Sequence, residues 1–250
     1  MTATTAEICV AACSDLMIGA GPILASPTGI IPTIGVRLAR LTHAPQLLLS
    51  DGESGLFADT PAFGEPFRVR EGTLPYRALF ELIASGRRHV IMGAPQLDRF
   101  GNQNLSAIGA DRDHPVRQLL GARAAATNTV NHATSYFVPR HAPRVFVERV
   151  DVVTGIGSDR ARALGAAGRF HDLRAVVTDL AVLGFDGPDG ALALRSIHPG
   201  VPIERVLEAT GFPLHVPSGV GETRTPDDGE LRIIRDQLDP RRQRDREVPT

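Results

Sequence analysis

The chain has 250 residues, 42% hydrophobic and 22% charged, with a formal net charge of -1 at pH 7. This balance describes a globular protein that can bury a sizeable core in one large domain or two small ones. It excludes a basic field for nucleic acid or an anionic membrane surface, and no apolar run is long enough for a spanning helix.

All 27 basic residues are arginine. Without lysine there is no side chain for a Schiff base and no phosphate-loop lysine. Met1 to Glu7 lacks the charged and apolar regions of a signal peptide, so a cytoplasmic location is expected. Cys9 and Cys13 share one helix face as small apolar residues. No His or Cys cluster accompanies them at ligand spacing, so no metal is expected.

In chain order, Ala6 to Ile18 reads as a helix capped by Thr5, and Ile23 to Ala25 as a strand entering Ser26-Pro27-Thr28-Gly29. Pro32 to Leu41 is a second helix and Gln46 to Leu49 a second strand. Residues 51–75 read as a long loop, Tyr76 to Ala84 as a helix, and Val90 to Met92 as a buried strand. The chain resumes as a strand over Leu105 to Ile108. Further strands are expected at Thr134 to Val138, Arg144 to Val147 and Arg174 to Thr178. Leu180 to Phe185 and Gly190 to Ile197 form an antiparallel pair around the Asp186–Gly190 turn. Ile203 to Ala209 and Asp227 to Leu238 are helical. The charged tail from Pro240 is expected to be solvated or packed on a partner. The alternation of strand and helix predicts an α/β fold, an open and mainly parallel sheet with flanking helices. No repeat or linker divides it, so residues 1–250 are read as a single domain.

Three segments carry the chemistry. After Val90 to Met92, the turn through Gly93, Gln96, Asp98, Gly101, Asn102 and Asn104 places neutral amides beside a strand end, where α/β proteins bind polar ligands. Its plain reading is a decorated hairpin. Leu47 to Pro61 places Asp51, Glu53 and Asp59 on a turn after a strand, where burial makes a carboxylate basic or nucleophilic; the alternative is a solvated or capping turn. Gly52-Glu53-Ser54-Gly55 falls one residue short of a nucleophile elbow. Leu119 to Phe137 holds Arg123, Asn128, Asn131 and His132. Arg123 offers a fixed fork of donors for a carboxylate or ketone, or an ion pair in an interface. His132 is a candidate acid or base, or a hydrogen-bonded core residue. Gly155-Ile-Gly157 lacks the third glycine of a dinucleotide fingerprint.

The run Gly93-Ala94, Gln96, Asp98, Gly101-Asn102 and Asn104 resembles the β subunit of family I coenzyme A transferases. Glu53-Ser54-Gly55-Leu56 is similar to the segment that carries their glutamate nucleophile, although here Ser50-Asp51-Gly52 separates it from the strand. The resemblance extends over Asn128 to Tyr136, Asp151 to Gly155, His198 to Val201 and Asp239-Pro240. In that detail it resembles β subunits of the IpdAB type, hydrolases of the transferase fold that open the last steroid ring in cholesterol catabolism. It implies a CoA-transferase-like fold, an acyl-CoA substrate that brings coenzyme A with it and no other cofactor. A homologous α subunit in a heterodimer or heterotetramer is also implied. The roles it implies are catalysis by Glu53, and binding by Gly93, Gln96, Asn102, Asn104, Asn128 and His132; where the transferases carry a glycine-rich turn this chain reads Gly121-Ala-Arg123-Ala-Ala, and Arg123 is expected to be catalytic. It also implies a turn at Gly121 to Ala125 whose backbone N–H groups face the thioester oxygen. Besides a retro-Claisen hydrolase, the alternatives are a transferase acting on a 3-oxo or dicarboxylic acid through a glutamyl-CoA thioester, and a non-catalytic subunit.

Overall fold

Thr4, rather than Thr5, begins the first helix, α1 (Thr5–Asp15): its hydroxyl accepts from the Glu7 amide while the Glu7 carboxylate takes the Thr4 amide. This reciprocal cap satisfies two amides that a helix start leaves unpaired. A computed structural model describes residues 2–52 and 54–249, and only the backbone of Arg123 and Ala124. The α1 helix is buried on nearly every side and packs on α2 (Ile30–Leu41). At their crossing a Cβ on Gly35 would stand 2.6 Å from that of Cys13, so only glycine fits. Cys9 and Cys13 are buried free thiols, raised well above their usual range by burial.

The first strands are β1 (Leu24–Pro27), β2 (Leu49–Ser50), β3 (Gly55–Phe57) and β4 (Arg70–Thr73). Then come α3 (Tyr76–Ala84), β5 (Arg88–Gly93), β6 (Gln96–Leu97), β7 (Gln103–Asn104), β8 (Ala107–Ile108) and β9 (Arg117–Gln118). The helix α4 (Ala122–Asn131) leads into β10 (Ala133–Val138), followed by α5 (Ser158–Ala161), β11 (Asp172–Thr178), β12 (Ala181–Gly184) and β13 (Ala193–Ile197). The chain closes with α6 (Ile203–Glu208), β14 (Gly221–Glu222) and α7 (Asp228–Arg232), which widens into a π-helical turn over Ile233–Leu238.

Seven strands make the main sheet in the order β1-β5-β10-β11-β12-β13-β14. The first four are parallel, β12 runs antiparallel to both neighbours, and β14 is parallel to β13. The expected open, mainly parallel sheet and its antiparallel pair are both present. Alternation along the strands makes two cores. Ile91, Phe137 and Val177 face α1 and α2. Val90, Met92, Tyr136, Val138 and Val176 face Leu97, Phe146, Val206 and Phe212.

Several expectations need correction. Residues 51–75 are not all loop, because β3 pairs with β2 and β4 in a small antiparallel sheet, with Phe57 stacked on Phe67 at 4.6 Å. The strand expected from Leu105 to Ile108 is broken, because the Asn104 side chain accepts the Ser106 and Ala107 amides and turns the chain. Arg144 to Val147 makes only a single bridge, Phe146 against Leu97. The Gly121 to Ala125 turn is the start of α4, as its alanines favour.

The tail is only partly solvated: Arg241, Arg242 and Arg246 are exposed, but the chain between and after them packs on the core. Arg244 is 3% exposed and pairs with Glu7 at 2.8 Å and Asp239 at 2.9 Å. Arg235 reaches Glu7 at 2.7 Å. The next turn brings the Glu247 carboxylate onto the amides of Ile30 and Ile31, at 2.9 and 2.8 Å. It caps α2 where Gly29, at φ 107°, supplies no side chain.

Burial alone would raise the Glu7 carboxyl, but hydrogen bonds from Arg235 and the Thr4 amide and the charge of Arg244 hold it at about 2. A carboxyl lowered in the folded state stabilises the fold above its unfolded value of 4.5 and loses that contribution as pH falls toward 2. The loss expected over that window is about 3 kcal/mol, from about 1.4 kcal/mol per pH unit. Arg244→Leu leaves buried carboxylates under-compensated and is expected to cost about 3–5 kcal/mol. Urea unfolding at pH 7 checks this, and a loss below about 1 kcal/mol would deny the tail its clamping role.

Candidate active site

The parallel strands β1, β5 and β10 end at a cavity of about 640 Å³. Its wall is largely apolar, with Val90, Met92, Leu105, Ala125, Val138 and Val145, and Gly93 closes the end of β5. Arg140 and Arg144 stand exposed on its lining. A second cavity of about 360 Å³ adjoins it, lined by Ser26, Thr28, Thr33, Arg37, Ser50 and Asp51. Thr28 and Arg88 line both. The smaller cavity thus reaches Asp51 and Gly52, immediately before Glu53, which itself lies outside the described residues. Ligand clefts of α/β proteins lie at such strand ends.

The polar turn after β5 forms the wall behind the cavity. The Asp98 carboxylate accepts the amides of Phe100 and Asn102, and Asn102 Nδ2 at 2.9 Å. Asn102 Nδ2 also donates to Asp159 at 3.0 Å, and its oxygen accepts the Gly157 amide at 2.8 Å. Burial raises the Asp98 carboxyl, and the Asn102 side chain opposes that rise. Gln96 Oε1 accepts from Asn104 Nδ2 at 2.7 Å and from the Asp151 amide at 3.1 Å. Gln103 Nε2 donates 2.7 Å to the Gly93 carbonyl and so fixes the end of β5. Gly93 and Asn128 therefore line the cavity, whereas Gln96, Asn102 and Asn104 are buried in the turn that shapes it.

Arg88 opens β5 on the same face as Val90 and Met92. Its Nε donates to Ser26 Oγ at 2.8 Å and its Nη1 to Asn128 Oδ1 at 3.1 Å. The Asn128 amide nitrogen rests on Met92 Sδ at 3.7 Å. Among the described residues no carboxylate pairs with Arg88, and burial lowers its pKa. Sequence reading passed over Arg88 in favour of Arg123. The only local signal is position, since Arg88 stands two and four residues before Val90 and Met92 and so shares their face of the strand.

Arg123 lies in the first turn of α4, and its side chain is not among those described. Among the described residues no side chain caps α4, and Gly121 and Ala125 at its start line the large cavity. The positive end of this helix therefore opens on the cavity. His132 lies elsewhere, on a cavity of about 220 Å³ shared with His171, Arg88 and Arg174. Its Nδ1 donates to the Ala133 carbonyl at 3.1 Å, and Nε2 has no partner among the described residues. Burial, with the Arg88 charge, lowers it to about 4. No cluster of three metal-ligating side chains exists among the described residues.

No protein-family model matches the chain. It is 51% identical to the cholesterol ring-cleaving hydrolase IpdB subunit of Rhodococcus jostii over 98% of this chain and 96% of that one. It is 49% identical to the IpdB subunit of Mycobacterium tuberculosis, over 98% of each chain. The crystal structure of Rhodococcus jostii IpdAB superposes with a TM-score of 0.95 at 50% identity, covering 100% of both chains. A 3-oxoadipate CoA-transferase subunit of Pseudomonas knackmussii is 30% identical over 82% of each chain.

Three buried histidines make the fold sensitive to acid. Burial pushes His89 to about 3, and His132 and His141 to about 4. A histidine lowered in the folded state stabilises it above the unfolded value of 6.5, and the contribution disappears as pH falls through the folded value. Stability is therefore expected to drop by several kcal/mol, on the order of 2–3 per histidine, between pH 6.5 and 4. Ring proton shifts of His132 should stay flat from pH 7 to 5 in NMR titration. A midpoint near 6.5 would refute the buried neutral state.

Proposed function

The chain belongs to the IpdB family of ring-cleaving hydrolase subunits, within the CoA-transferase fold, and from that membership we propose that it is the β half of a two-subunit enzyme hydrolysing a carbon–carbon bond in a ring-bearing acyl-CoA. The substrate class is the last steroid ring, as its thioester, in cholesterol breakdown, and the reaction is assigned to the cytoplasm. No helix among the described residues is long and apolar enough to cross a membrane. The observation that carries the reading is the large cavity at the ends of β1, β5 and β10: an apolar wall for a ring, with arginines at its edge for the phosphates of coenzyme A.

In the proposed step, water adds to a ring ketone β to the thioester. The bond from that carbon to the α-carbon breaks, and its electron pair passes into the thioester enolate. The former ketone becomes a carboxylate, and a proton returns to the α-carbon. The step needs a base for water and donors for the enolate. We assign the donors to the first-turn amides of α4 and to Arg123, and the base to Glu53 together with a group from the α subunit. Gly93 and Asn128 contact the acyl chain, while Gln96, Asn102 and Asn104 hold the wall. His132 serves the packing beneath it. Coenzyme A arrives as part of the substrate.

A homologous α subunit completes the site. The chain leaves apolar surface for it: α3 buries none of its residues, exposing Tyr76 and Phe80, and Val116 and Leu120 are 87% and 96% exposed. Such surface on an isolated chain favours a partner.

The assembled complex is expected to convert a cyclic 3-oxoacyl-CoA in ¹⁸O-water to a ring-opened product with one labelled oxygen in its new carboxylate and the thioester intact. Borohydride added during turnover should leave the mass of Glu53 unchanged. Reduction at Glu53 together with CoA exchange between acids would establish a transferase instead.

A further inference from the structure

Among the described residues, Arg88 is the one guanidinium that lines all three cavities around β5. Guanidinium carries five N–H donors. Ser26 and Asn128 take one each, which leaves three without a protein acceptor among the described residues. Both partners are neutral, so they fix the group without offsetting its charge. The acids nearby are engaged elsewhere. Asp51, on the small cavity, accepts the Gly55 amide at 3.1 Å. Asp172, on the third cavity, is held by Arg174 at 2.8 Å. A half-buried guanidinium with fixed geometry and no counter-charge is costly unless an anion arrives with the ligand.

We propose that Arg88, oriented by Ser26 and Asn128, anchors a free carboxylate carried by the acyl group at a distance from its thioester. The proposal rests on the acyl-CoA reading of the site and names a specificity residue within it. The planar fork suits a carboxylate. The apolar lining beside it suits the hydrocarbon that bears one, whereas the CoA phosphates have Arg140 and Arg144 at the exposed edge. The thioester belongs at the other end of that cavity, at the start of α4. Arg88 is thus a specificity residue that selects doubly acidic acyl groups over neutral ones.

The test uses the assembled two-subunit complex and one scaffold in two forms, a cyclic 3-oxoacyl-CoA bearing a side-chain carboxylate and its methyl ester. Wild type is expected to bind the acid about 30–100-fold more tightly than the ester, as a charge-assisted contact would give. Arg88→Gln should remove that preference through binding and KM for the acid, changing the ester less than threefold. Ser26→Ala should weaken the acid alone by about fivefold, through loss of one orienting bond, and its melting temperature serves as the folding control should Arg88→Gln fail to assemble. Equal losses for acid and ester, or an acid preference surviving in Arg88→Gln, would overturn the proposal. A fall in kcat with binding unchanged would overturn it as well. Binding is read by calorimetry without turnover, so a complex that binds the acid selectively but cleaves neither compound refutes the ring-cleaving reading and leaves the anchor standing.

Discussion

The ion-pair knot of Glu7, Arg235, Arg244 and Asp239 joins the first helix of the chain to its last turns, and the position of the active-site wall depends on it. Buried ion pairs are poor sources of net stability because desolvation cancels much of their attraction. Their contribution is geometric: an arginine that must meet two carboxylates can do so in few arrangements. Arg244 meets Glu7 on α1 and Asp239 beyond α7 at once, and that fixes where Glu247 falls. Its carboxylate then lands on the first amides of α2. The turn from β1 into α2 carries Thr28, which lines both major cavities. A contact between the two ends of the chain therefore sets an edge of the site.

The site's other wall follows a different rule. Around Gln96, Asp98, Asn102 and Asn104, side-chain donors and acceptors find partners within the turn and on the facing Asp151, Gly157 and Asp159. A buried polar network satisfied in this way is rigid, since opening any one bond strands a polar atom. Its output is the fixed end of β5, where Gln103 holds the Gly93 carbonyl. Against that satisfied background, Arg88 differs. Among the described residues, it is the half-buried charge on the large cavity, with hydrogen-bond capacity left over.

Much of the fold was legible because it is written in local periodicity. Val90-Ile91-Met92 alternates between two cores, Tyr76 to Ala84 forms α3 as read, and the Asp186–Gly190 turn joins an antiparallel pair. What escaped depends on partners far away in sequence. The tail from Pro240 looks solvated residue by residue, and only contact with Glu7, 237 positions from Arg244, makes it part of the core. Short strands such as β3 and β4 carry too few residues to show a period. In the site, family resemblance identified the segments but not which side chains face the ligand. Gln96, Asn102 and Asn104 matter through the turn they hold, whereas Arg88 stands two residues before that segment and was passed over. Glu53 and the Arg123 side chain lie outside what is described, so their roles rest on the sequence.

A transferase frame can host hydrolysis when two demands change. A transferase needs its glutamate placed against the thioester carbonyl, so that an acyl group can leave coenzyme A and return to it. A ring hydrolase must leave the thioester intact and bring water to a carbon further along, which requires the acyl group to be held from its far end. Asp51-Gly52 between β2 and Glu53 loosens the first requirement. Arg88, held by Ser26 on β1 and Asn128 on α4, meets the second. With the start of α4 at one end of the cavity and Arg88 at the other, the acyl group is fixed at two points. Two-point fixation places a ring ketone between them, where water rather than a carboxylate can reach it.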